Sequence, residues 1–195
     1  MVEYTKDEEG VETVETDLTH YIYEKMLDHA KNYQWRIVAD SHKHALELYF
    51  VVSIENTTGQ YVQDVNGQVN ENNLIQFEDV ICLYDETNNR IEPENYLYAL
   101  PFNVEVGIEK GHVDALLKQL NIIVAGAKSK VREFLLDASQ DEFSLEWHEL
   151  NFKNTIDTLK NTNNYSMDRL IVEKQDDKSF VDQFKEDNHN GVERI

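Results

Sequence analysis

Residues 35–55 read WRIVADSHKHALELYFVVSIE. Trp35, Ile37 and Ala39 alternate with Arg36 and Val38. After the polar break Asp40-Ser41-His42-Lys43, Leu46, Leu48, Phe50, Val52 and Ile54 share one parity. Glu47, Tyr49 and Ser53 share the other. A period of two is the mark of a strand with one face on a core. Two such runs across a short polar turn predict an antiparallel hairpin.

Upstream, Leu18, Tyr21, Ile22, Met26 or Leu27, Ala30 and Tyr33 follow helical spacing, with Asp17 placed to cap a helix over 18–33. Downstream, residues 55–73 are polar and contain Gly59 and Gly67. They read as a mobile excursion, weighed against a small hairpin around Asn66-Gly67. Residues 74–84, LIQFEDVICLY, are apolar enough at Val80–Tyr84 for a strand covered on both faces. Tyr96–Leu100 reads as a fourth strand, bounded by Pro93 and Pro101.

The longest element spans 109–137. Val113, Leu120, Ala127 and Phe134 recur every seven residues, and Leu117, Val124 and Val131 form a second row, so one apolar stripe runs its length. Gly126 inside it marks either a break or a close approach of another backbone. Phe143, Leu145 and Trp147 alternate with polar residues and predict a fifth strand. Phe152, Ile156 and Leu159 predict a helix over 150–161.

The order α-β-β-β-β-α-β-α defines an α+β fold: an antiparallel sheet of about five strands, with a long helix and two shorter ones mainly on one face. Three regions follow: an acidic mobile head at 1–16, a single domain at 17–161, and a polar tail at 162–195, partly ordered at most, with apolar islands at Leu170–Val172 and Phe180–Phe184.

Charge excludes more than it assigns. The chain holds 38 Asp and Glu against 18 Lys and Arg, a formal −20. Such a surface repels nucleic-acid phosphates and anionic lipid, so direct nucleic-acid or membrane binding is not expected. The charge is uneven. Residues 1–17 carry −6, residues 55–107 carry −9 and residues 139–150 carry −4, whereas 18–54 sum to zero and 108–138 to +1. The long helix is the least repulsive surface. No secretory signal, bilayer-length apolar run or cysteine pair is present, so a cytoplasmic location is expected.

Four phrases carry a resemblance: YQWRIVADSHKHALELYFVVSIEN at 33–56, IQFEDVICLYDETNNRIEPENYLYALPF at 75–102, the helix entry Gly107-Ile108, and EFSLEWHELNF at 142–152. Over roughly residues 18–160 the chain resembles a small acidic family of unknown function from low-GC Gram-positive bacteria. The resemblance implies a bacterial cytosolic protein with no assigned activity, substrate or cofactor, and it carries no functional residues over.

No candidate reaches a catalytic or metal signature. His42 and His44 could share a strand face toward zinc, but no further ligand is near. His148 lies between Glu146 and Glu149, where an exposed histidine is commoner than a general base. Cys82 sits in an apolar strand and reads as core. Glu78 and Asp79 point to opposite faces. From Asp85, the sixth and twelfth positions of a calcium loop are Arg90 and Tyr96, so that motif fails. No catalytic residue, metal site or cofactor is therefore expected. Tyr84, Tyr96, Tyr98 and Phe102, with Val113, Leu117, Leu120 and Val124 on the helix, are the candidate interaction surface. The reading is a non-enzymatic protein-interaction or chaperone-like protein with a protein partner, a homodimer being the first guess. An acidic nucleic-acid mimic or sequestrant of a basic partner, and an enzyme with an unrecognised site, are the alternatives.

Overall fold

The computed structural model describes residues 4–6, 12–14, 16–40, 45–56, 62–63, 69, 74–87, 90–137 and 143–172. Strands β1 (Tyr4–Lys6) and β2 (Glu12–Val14) pair antiparallel as a separate ladder. The short β3 (Thr16–Asp17) leads into α1 (Leu18–His29). Asp17 caps this helix, accepting from the His20 N–H at 2.7 Å. The helix stops at Ala30, short of the expected 33, because the chain must reverse into the sheet.

The main sheet follows. β4 (Gln34–Asp40) pairs antiparallel with β5 (Ala45–Glu55), which pairs antiparallel with β6 (Leu74–Asp85). In register, Leu48 faces Ile37 on one side and Ile81 on the other. The period-two face of β5 is the core: Leu48 and Phe50 are wholly buried. In the polar excursion, Gln63 and Val69 form an isolated antiparallel bridge, as a hairpin around Asn66-Gly67 would. Most of that excursion, like His42 and His44, lies outside the described residues.

The sheet is mixed rather than antiparallel throughout. β7 (Tyr98–Phe102) runs parallel to β6, with Ile81 opposite Tyr98 and Leu83 opposite Leu100. The segment between them, including a 3₁₀ turn at Pro93–Asn95, carries the chain back to the level of Val80 and Ile81, midway along β6. A parallel pair requires such a crossover, which a turn cannot supply. Leu97 N–H donates to the Val80 carbonyl at 2.9 Å and fixes the return.

β8 (Ile108–Glu109) then enters α2 (Lys110–Leu136), an unbroken helix of 27 residues. Gly126 marks neither a break nor a close approach: a β-carbon there meets nothing within 4 Å. After α3 (Glu149–Asn161), β9 (Arg169–Ile171) pairs parallel with β3 and antiparallel with β8. Leu170, in the stretch read as tail, is wholly buried in the main core. Gly107 lies against it at a φ of 75°.

Phe143–Trp147 is not a strand. Its alternation is real, but it records burial without a ladder. Phe143 packs edge-on to Phe77 at 5.5 Å, Leu145 is 6 % exposed, and Trp147 stacks on Tyr98 at 4.2 Å. The fold class is α+β, with the three α-helices of the described residues on the core face of a four-stranded sheet.

Candidate functional site

The sheet splits the aromatic group proposed from sequence. Tyr98 and Phe102 share parity on β7 and face the helices. Tyr84 has the parity of Cys82 and packs on the far face with Tyr96, against Ala45, Cys82 and Ile91. Phe102 is 8 % exposed, and Val113, Leu117, Leu120 and Val124 are 0, 4, 0 and 7 % exposed. These five side chains are core. The stripe that suggested a subunit contact is buried in the protein's own core, between the sheet and the neighbouring helices.

On the far face, Glu47 is buried opposite Cys82. Its carboxylate accepts from Tyr49 Oη at 2.7 Å and from Tyr96 Oη at 2.9 Å. Burial first, and Glu47 second, push the Tyr49 phenol up to about 12. Arg36 stacks over the Tyr49 ring at 4.0 Å and reaches Glu78 at 3.3 Å. Asp79 takes the opposite face, level with Phe50, where burial raises its carboxyl against the pull of the Val80 and Leu97 N–H groups. Glu78 and Asp79 thus do not act together. Cys82 is wholly buried. His148 is exposed on the entry to α3, 3.7 Å from Glu146. Both Asp85 oxygens accept from Thr87, at 3.1 and 2.8 Å. Among the described residues, no group of three His, Cys, Asp or Glu converges to hold a metal.

A concave feature lies on the helical side. An open groove of about 1060 Å³ runs between α1, α2 and α3. Its floor is apolar: Val52, Leu117, Val124 and Leu159. Lys25 and His29 come from α1, Lys118, Asn121, Ile122 and Lys128 from α2, Thr155 from α3, and Asn32 and Asn164 from the turns. Its one described acid, Asp114, is engaged. One of its oxygens lies 3.2 Å from Lys25 Nζ and accepts from Tyr21 Oη at 2.9 Å. Neither Lys118 nor Lys128 has an ion pair among the described residues. Tyr33 Oη donates to Asn121 Oδ1 at 2.9 Å, so the amide nitrogen of Asn121 remains as a donor. Ile122, in the middle of this wall, is 59 % exposed.

Leu117 and Val124 are among the candidates named from sequence; the polar lining was missed because it comes from three helices and the turns between them. One local signal was available: residues 118–136 hold four cations against one acid, in a chain of −20.

An α+β protein with a closed core and an open, cation-lined groove across its helical face is thus defined. The chain belongs to a family of proteins of unknown function, DUF3013, whose model matches residues 13–169. No curated protein matches it. Among solved structures, it is similar to a conserved protein of unknown function from Enterococcus faecalis. The TM-score is 0.67 at 23 % identity, over 76 % of this chain and 90 % of that one. That neighbour comes from a low-GC Gram-positive bacterium, and at this identity it shows the fold. No helix in the described residues is long and apolar enough to cross a membrane.

Proposed function

We propose that this protein is a non-enzymatic interaction protein that receives another protein on its helical face. The observation that carries the reading is the groove between α1, α2 and α3: a polar rim around an exposed isoleucine on its wall, above side chains that belong to the core. Apolar ground ringed by polar groups is the usual anatomy of a protein contact. The sheet's far face is different. There Glu47 is covered by Tyr49 and Tyr96, and Arg36 is paired with Glu78.

A photo-reactive residue at position 122, expressed in the protein's own host, tests the reading against the same residue at Ser53 on the far face. The expected result is a discrete cross-linked species from position 122 and none from 53. No adduct at 122, or the same adducts from both positions, would overturn it.

A further inference from the structure

We infer that the partner segment is an acidic polypeptide with apolar residues between its carboxylates. This inference rests on the interaction reading above and adds the chemistry of the occupant. The groove concentrates positive charge on a negative molecule. Lys25, Lys118 and Lys128 line it, against Asp114 alone among the described residues, and Asp114 is engaged by Lys25 and Tyr21. The remaining donors, Lys118, Lys128 and the Asn121 amide nitrogen, call for an anion with several acceptors. Ile122, 59 % exposed on the wall, with the exposed Ala125 near it, calls for apolar side chains beside those acceptors. A polypeptide alternating carboxylates with apolar residues supplies both.

The same charges argue against other occupants. A two-fold contact centred on Ile122, with the two copies of α2 antiparallel, would bring Lys118 of one copy near Lys128 of the other, a like-charge approach that is destabilising. A nucleic acid or an anionic bilayer presents extended negative charge to the whole molecule, which carries −20. A short segment seated between the helices meets the local cations instead. At about 0.15 M salt the Debye length is about 8 Å, so distant carboxylates are screened while contacts inside the groove persist.

The test uses a fluorescent 18-residue peptide of Glu and Leu, with Leu at helical spacing, in about 0.15 M salt. Binding is read by anisotropy and located by amide shifts in α2. The comparison is between the full chain, a Lys118→Glu/Lys128→Glu variant, and a Lys130→Glu/Lys153→Glu variant of equal net charge that leaves the groove lining untouched. Binding is expected to move amides around Asn121 and Lys128, and to weaken about tenfold or more in the first variant but not the second. Absence of binding, or equal loss in both variants, would overturn the inference. So would displacement of the peptide by an oligothymidylate or phosphatidylserine vesicles of equal charge. So would a dimer in sedimentation that the first variant alone dissociates. If cross-linking at position 122 captures a neutral or basic partner, the interaction reading stands and this inference fails.

Discussion

Tyr33 Oη donates to Asn121 Oδ1 at 2.9 Å and ties the chain leaving α1 to the middle of α2. The contact joins two residues 88 positions apart. Tyr33 also stands edge-on to Phe50 in the sheet, at 6.4 Å between ring centres. One side chain thus links the first helix, the long helix and the core strand at the floor of the groove. Its phenol is held neutral well above the ordinary tyrosine range, by burial. Replacing Tyr33 with Phe keeps the ring contact and removes the hydrogen bond. The expected loss is about 1 kcal/mol, read as a lower urea midpoint at unchanged slope.

The Glu47 carboxylate should be the most sensitive polar point of the far face. Its two oxygens accept from different phenols, Tyr49 and Tyr96. Tyr96→Phe leaves one oxygen of a buried carboxylate without this donor. Hydrogen bonds to charged groups contribute about 1.5–3 kcal/mol, so a loss in that range is expected from denaturant titration. A change under about 0.5 kcal/mol would mean that water replaces the phenol.

Two glycines should respond oppositely to alanine. Gly107 has a φ of 75°, and a β-carbon there would collide with the Leu170 carbonyl oxygen. Gly107→Ala is expected to destabilise by more than about 2 kcal/mol, through backbone strain and displacement of β9. Gly126 sits in α2 with open space beside it. Gly126→Ala is expected to stabilise by about 1 kcal/mol, since Ala loses less backbone entropy in a helix. Thermal melts of the two variants should bracket the parent protein.

Acid should weaken the fold through His112. This side chain stands edge-on to the Phe152 ring at 5.2 Å, in the first turn of α2. Burial lowers its pKa below the ordinary 6.5, with Lys160 acting the same way and Glu109 and Glu149 opposing. The folded state therefore binds the proton less readily than the unfolded chain. The stability contributed by neutral His112 is complete above about pH 6.5 and is lost as pH falls toward the lower folded value. His112→Gln should flatten the urea midpoint between pH 7 and 5 relative to the parent. An unchanged slope would assign that pH dependence elsewhere.

The groove itself left little trace in the sequence. Lys25, Lys118 and Lys128 are ordinary surface lysines when read along the chain. They become one site only because α1 and α3 both pack against α2. The aromatic group failed for the same reason: Tyr84, Tyr96, Tyr98 and Phe102 are close in sequence, but the sheet passes between them.

Periodicity alone determined the helices, the cap at Asp17, the hairpin of β4 and β5 and the α+β class, because each side chain's burial repeats with its own local geometry. Only the tertiary structure decided which way β7 runs, that Phe143–Trp147 forms no ladder, and that β9 docks between β3 and β8. Strand direction and partner choice are agreements between distant segments. A burial pattern states that a side chain faces a core. It does not state which backbone lies beside it.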